Sequence, residues 1–408
     1  MNRLSKISLT SVSLICFSII LFGCDIRAGV GNQIEEGIVV TRDNNTITVT
    51  AGKNGLNGTP VAIEWDGEVP ACLDSNGELV AAQQGETADG RNLIWILADI
   101  SAGDSREYVA SEQTDCLSKT FDWQKAGPDR SRLLIDDMPV VEYVHPVFDS
   151  NRIDETMKPF HHVYAPDGSQ LITKGAGGNY SHHRGIFYGY NNIRFNDKTV
   201  NTWGGQVRSN EHSSFEAEWT GPVFGGHEVV IDWIDRDDEI FAKDIRKIQV
   251  YQLPGNEMMI DVESMLSSKV GPVELDGDHH HAGIQFRAAQ YVYDNAEYSR
   301  FVRPDDWACF PEDREMNDSD WYSNSPWNIF RFVVEGEPYT VGYFSHPQNP
   351  QGGQMSERLY GRFGEFIPGM VIDEGQPLTL RYRLLIANGH EIDRERMVRE
   401  YNAYSIIP

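Results

Sequence analysis

Apolar and polar residues alternate in short runs along most of this chain, and Gly, Asn, Asp and Pro bound the runs. Ile47-Thr48-Val49-Thr50, Val229-Val230-Ile231-Asp232-Trp233 and Thr379-Leu380-Arg381-Tyr382-Arg383-Leu384-Leu385-Ile386 are examples. A period of two turns one face of a strand inward, so the pattern predicts an all-β protein. Hairpin-like turns are expected at Asn44-Asn45 and Asn54-Gly55, and a strand over Leu93-Ile94-Trp95-Ile96-Leu97. Helical spacing stands out once, from Asp393 to Tyr401, with Asp393 placed to cap the helix N-terminus. A chain of 408 residues predicts two domains, at about 150 residues each. The first is a small N-terminal β-sandwich module over 36–126. Ala126-Gly127-Pro128-Asp129 reads as a boundary. A large, supersandwich-like β-sandwich domain follows over 130–396, with 397–408 as a C-terminal tail. There is no short internal repeat, which argues against a propeller or solenoid.

The first 23 residues break the pattern. Arg3 and Lys6 precede an apolar run from Ile7 to Phe22, and Leu21-Phe22-Gly23-Cys24 matches a lipobox. The run is short for a spanning helix, which needs roughly 20 residues. It therefore reads as a lipoprotein signal over 1–23, with lipidation at Cys24 and a tether over 24–35. The expected location is the bacterial cell envelope, lipid-anchored in the periplasm or at the cell surface. An oxidising compartment permits a disulfide, and Cys72 with Cys116 is the expected pair, both lying in the N-terminal module. Cys309 is then expected to be buried and free, or modestly reactive. The formal charge of −26 argues against a nucleic-acid partner, because that affinity comes from neutralising phosphates.

Histidine marks the candidate chemistry. The N-terminal module has none, and seven of the twelve fall in three clusters: His161-His162, His182-His183 and His279-His280-His281. On a strand, adjacent residues face opposite sides, so one histidine from each pair is expected to reach a common pocket, with His279 and His281 on one face. Such side chains exchange protons or bind metals near neutral pH.

The blocks around these clusters resemble a known family. Lys158-Pro159-Phe160-His161-His162-Val163-Tyr164-Ala165-Pro166-Asp167-Gly168 is similar to its opening signature, except for valine at Val163 where proline is usual. Ser181-His182-His183-Arg184-Gly185-Ile186-Phe187 resembles its core. Leu275-Asp276-Gly277-Asp278 with His281-Ala282-Gly283-Ile284-Gln285-Phe286-Arg287 resembles a third block. Ser345-His346-Pro347-Gln348-Asn349-Pro350 and Ser356-Glu357-Arg358-Leu359-Tyr360-Gly361-Arg362-Phe363-Gly364 resemble a fourth. The family is the PmoA-like proteins, often labelled methane oxygenase PmoA. One apolar segment, read as a leader, does not make a multi-span membrane oxygenase. The resemblance instead implies a carbohydrate-associated protein.

Three readings of function follow. The first is a lyase or dehydratase acting on acidic poly- or oligosaccharides by β-elimination. Arg184 or Arg362 would neutralise the carboxylate, His183 or His281 would take the proton, and Tyr360 would protonate the leaving oxygen. His162, His346, Glu357, Arg358 and Trp203 complete the expected substrate contacts. Trp203, Trp307, Trp321 and Trp327 lie in loop-like stretches suited to stacking on sugar rings, or to core packing. The second reading is a glycoside hydrolase, with Glu357, Asp276 and Asp278 as carboxylates, although Asp276-Gly277-Asp278 is also turn chemistry. The third is a glycan-binding lipoprotein without catalysis. No cofactor is required. A divalent metal on His182, His183 and His281, or on two histidines with Glu357 or Asp278, is the alternative.

Overall fold

The computed structural model describes residues 38–407, except 88–89, 117–118, 205–207, 279, 317–322 and 390. The signal, the tether, Cys24, His279 and Trp321 lie outside the described residues. No helix among those described is long and apolar enough to cross a membrane.

Two antiparallel eight-stranded sheets pack face to face. The first runs in the order Gln354–Arg358, Arg362–Phe366, Ala282–Arg287, Gly185–Tyr190, Phe160–Val163, Met138–Val144, Arg130–Ile135 and Phe121–Gly127. The second runs Asn210–Trp219, Gly225–Ile234, Ile240–Leu253, Glu257–Ser268, Leu378–Asn388, Glu337–Ser345, Trp327–Val334 and Arg300–Val302. Alternation fills the space between them. Tyr143, Ile186, Tyr188, Ile284, Phe286 and Phe363 from the first sheet meet Val229, Ile231, Trp233, Ile248, Ile260 and Leu384 from the second. Each such side chain contributes about 1.5–3 kcal/mol on burial.

The N-terminal residues form a five-stranded and a three-stranded sheet with their own core, in which Val49, Leu73, Ile94 and Tyr108 are buried. Cys72 and Cys116 are joined by a disulfide. Cys309 is exposed, which corrects the expectation that it is buried. The boundary drawn at 126–129 falls inside a hairpin, because Phe121–Gly127 pairs with Arg130–Ile135 in the large sheet. Gly-Pro-Asp punctuates a tight turn as readily as a linker. Gln83 ties the two regions together: its amide donates to Phe224 O at 2.9 Å and accepts from the backbone N–H groups of Val223 and Phe224. The C-terminal helix spans Arg394–Ser405, with the Asp393 side chain accepting from Arg396 N at 2.8 Å. It therefore continues through most of the expected tail and packs Ala403 into the N-terminal core.

Register sets up the candidate site. Gly185 pairs with Arg287, Arg287 with Arg362, and Arg362 with Arg358, so these four lie in one row across the first sheet. Paired residues share a face, and this row lies on the face turned away from the main core. Phe160, Phe187 and Trp203 make a small separate cluster on that side with Val144.

Candidate active site

The segment Ser181-His182-His183-Arg184 is a turn and an irregular stretch before the strand at Gly185. Strand alternation therefore does not apply, and His182 and His183 reach the same place with ring centroids 4.2 Å apart. This corrects the expectation that only one of them faces the site. Two glycines make room. A Cβ on Gly185, whose φ is +40°, would sit 2.0 Å from His161 O. A Cβ on Gly204 would sit 2.7 Å from the His182 ring.

Trp203 is the centre of the group. The Arg362 guanidinium lies over its ring at 5.7 Å, His183 meets it at 5.5 Å and His281 at 6.2 Å. Tyr360 stacks on Tyr180 at 5.0 Å and lies parallel to His183 at 6.3 Å. Arg362 Nε donates to the Tyr360 hydroxyl at 3.1 Å, which leaves the phenolic proton for another acceptor. Arg362 Nη1 donates to Gln285 Oε1 and Ser356 Oγ, both at 3.0 Å, and Nη2 makes no hydrogen bond among the described residues. Both ring nitrogens of His183, the indole N–H of Trp203, and Nε and Nη2 of Arg287 are buried without partners among the described residues. Such groups normally find a partner.

Electrostatics are one-sided. Lys158, Lys174, Arg184, Arg287 and Arg362 are all buried, and none forms an ion pair among the described residues. Backbone carbonyls hold most of them. Lys158 donates to Thr202 O at 3.0 Å and to Trp203 O. Lys174 donates to the carbonyls of Gly175, Tyr180 and His183. Burial, with Arg287 and Arg184 nearby, lowers the Lys174 ammonium to about 7. Burial, then Lys158, His281 and Arg362, lowers His182 to about 3. His183 is held well below 6.5 by burial and then by Arg362 and His182.

Several expected residues go elsewhere. Arg184 is turned inward and fully buried: Nε donates to Ser181 O, Nη1 to Glu155 O and Nη2 to Asp154 O, so each nitrogen is held by a backbone carbonyl. Glu357 lies on the core face of its strand, opposite Arg358, and pairs with Arg303 at 2.6 Å and with Asn328. Arg358 donates to Met316 O and faces Glu315. His162 lies behind the site, bonded to Thr173 Oγ1 at 3.1 Å. His346 belongs to a different groove, beside Arg381 and Tyr404. Trp327 is in a strand and buried, and Trp307 is buried in a short 3-10 helix, so neither overhangs the site. His280 is buried against Ser356, while His281 is half-exposed and bound to Asp278. Among the described residues, no three His, Cys, Asp or Glu side chains stand together closely enough to hold a metal ion.

A family model matches residues 130–402, the stretch that contains every residue of this site. The chain belongs to the family of unknown function DUF6807. No curated protein matches it by sequence. Solved structures similar to this DUF6807 chain include an aldose epimerase homologue from C. elegans, at 10% identity and a TM-score of 0.31. Another is galactose 1-epimerase from Lactobacillus acidophilus NCFM, at 9% identity and a TM-score of 0.32. Each comparison covers 67% of this chain and 100% of the other. Overlap this loose says nothing of shared chemistry.

Lys158, Lys174, Arg287 and Tyr180 are part of the site and were not among the expected residues. Lys158 opens the first motif block and Arg287 closes the third, so their positions in sequence were visible. Their lack of counter-charges was not.

Proposed function

We propose that this chain is a lipid-anchored enzyme of the bacterial cell envelope that acts on acidic poly- or oligosaccharides by β-elimination, as a lyase or dehydratase. The observation that carries this reading is the set of buried basic side chains around His183 and Trp203 that form no ion pair among the described residues, in a chain of formal charge −26. Elsewhere the buried arginines are matched, as in Arg303–Glu357 at 2.6 Å and Arg383–Asp261 at 2.6 Å. Burying a charge costs several kcal/mol unless something offsets it. An anionic ligand would offset it here, and a sugar carboxylate also suits the indole of Trp203 and the donors left unpartnered.

The roles follow from placement. Arg362, with Arg287 behind it, binds the carboxylate through Nη2 and so acidifies the neighbouring C–H. His183 or His281 takes that proton, and Tyr360 gives its phenolic proton to the leaving oxygen. Hydrolysis by a pair of carboxyl groups about 5–9.5 Å apart is less well supported. Glu357 is tied to Arg303, Asp276 to Arg194 and Asp278 to His281. The resemblance to PmoA-like proteins and the lipobox at Cys24 support the same setting and belong to the proposal.

The test is a panel of acidic glycans incubated with the mature protein. New ultraviolet absorbance from an unsaturated uronate is the expected result. New reducing ends without that absorbance would support hydrolysis instead. Retardation on a glycan gel without product would leave a binding protein. Loss of activity on chelation, restored by a divalent cation, would bring back the metal alternative at His182, His183 and His281.

A further inference from the structure

We propose that His281 and Asp278 form the proton-accepting dyad of this site, with His281 as the base and Asp278 as its positioning residue. This rests on the elimination reading and chooses between the two histidines that it leaves open.

The loop Asp276-Gly277-Asp278 turns the carboxylate of Asp278 back on the chain. It meets His281 Nδ1 at 2.8 and 3.0 Å through its two oxygens. Two further donors fix its position: His280 N at 2.9 Å and Asn191 Nδ2 at 3.0 Å. The His281 backbone N–H also donates to Asp278 O at 2.9 Å. A carboxylate on Nδ1 holds the proton there and turns the lone pair of Nε2 outward. It also stabilises the imidazolium that forms when Nε2 accepts a proton, the arrangement that recurs in acid–base and nucleophilic sites. The ring is half-exposed and stands edge-on to Trp203 at 6.2 Å, beside the indole and Arg362. Asp278 stays below the usual carboxylate range: burial alone would raise it, and the His281 contact with the two other donors more than reverses that.

His183 offers the opposite environment. Neither of its nitrogens has a partner among the described residues, and Arg362, His182, Arg287 and Lys158 surround it. A proton accepted there would add a positive charge among cations, with no carboxylate in contact. His183 is therefore a neutral substrate contact.

In the step, His281 Nε2 takes the proton from the carbon next to the substrate carboxylate. The C–H pair becomes the new C=C bond as the adjacent C–O bond breaks. The leaving oxygen keeps that bond's electrons and takes the Tyr360 proton. The imidazolium then returns its proton to the phenolate through water, and no oxidant or co-reactant is needed.

The test uses the full chain with Asp278→Asn, Asp278→Glu, His281→Gln and His183→Asn. Rates are followed against pH, and His281 is followed by NMR titration. Asp278→Asn is expected to lower kcat about 100-fold. It should also move the acidic limb of kcat/KM and the NMR titration of His281 to lower pH together, with partial rescue in Asp278→Glu. His281→Gln should remove that limb. His183→Asn should raise KM and keep the limb. The dyad is overturned if Asp278→Asn leaves both the limb and the His281 titration where they were, or if His183→Asn removes the limb. If no glycan yields an unsaturated product while the His281 titration still depends on Asp278, the elimination reading has failed, and the base role with it, although the dyad geometry stands.

Discussion

Two histidine groups lie on opposite faces of the strand Phe160–Val163, and they are built differently. On the inner face, His161 stacks on Tyr143 at 4.6 Å and shares a hydrogen bond with His227, Nε2 to Nε2, at 2.8 Å. His227 stacks on Trp123 at 4.9 Å, and His145 and His212 continue the group outward at 4.8 Å from each other. The arginine beside this group, Arg246, is matched by Asp244. On the outer face, neither nitrogen of His183 is bonded and the cations around it form no ion pair among the described residues. Both groups are rich in imidazole, and burial lowers the affinity of both for protons. In the inner group His161 and His227 each leave only Nδ1 buried without a partner, whereas His183 leaves both of its nitrogens so among the described residues. Charge and hydrogen-bond deficits, rather than the number of histidines, distinguish a candidate site from packing.

Substitution is the strongest way to break this contrast. His281→Ala should lower kcat/KM about 100- to 10,000-fold on an acidic glycan, with the thermal midpoint little changed because the ring is half-exposed. A fall in stability equal to the fall in activity would place His281 with the inner group. Glu357→Ala should act purely on the fold. It strands Arg303 in the core and should cost about 3–5 kcal/mol in urea unfolding, with the turnover of folded molecules retained. His227→Phe leaves His161 Nε2 without its partner and should cost about 1–3 kcal/mol, again with turnover unchanged.

The smallest expected effect is on pH dependence. Burial, and then His145, lowers His212 to about 4, and burial and then His212 lowers His227 to about 3. Above about 6.5 these rings are neutral whether the chain is folded or not, and they add no pH dependence. As pH falls through that value, the unfolded chain binds protons that the folded one refuses. Stability should therefore decline steadily from about pH 6.5 towards about pH 4. His227→Phe should flatten that decline, and an unchanged slope would mean that the inner rings do not stay neutral.

Much of the fold was legible in the sequence, because alternation is a local property. The strands Thr46–Thr50, Gly225–Ile234 and Leu378–Asn388 contain the runs that predicted them, and Asp393 caps the one long helix. The candidate site was legible only in part. Trp203, Arg362, Tyr360, His183 and His281 do come together. The strand rule fails at Ser181-His182-His183-Arg184, a turn and irregular stretch, so both histidines reach the site; of the two arginines expected there, Arg184 turns inward and Arg362 remains. The same rule, applied to Ser356-Glu357-Arg358, would have placed Glu357 and Arg358 on opposite faces. The contribution of Lys158, Lys174 and Arg287 had no local signature. A buried cation becomes informative only when the residues that should neutralise it are known to be elsewhere.

The account depends most on the claim that the outer group takes a carboxylate. Calorimetric titration of the mature protein with glucuronate, galacturonate and mannuronate, each against its neutral hexose, tests that claim without requiring turnover. At least one uronate is expected to bind about tenfold or more tightly than its hexose, a difference of about 1.4 kcal/mol. That preference should shrink as salt is raised and disappear in Arg362→Gln. Equal affinity for every acid and its neutral counterpart, or a preference that survives Arg362→Gln, would contradict it.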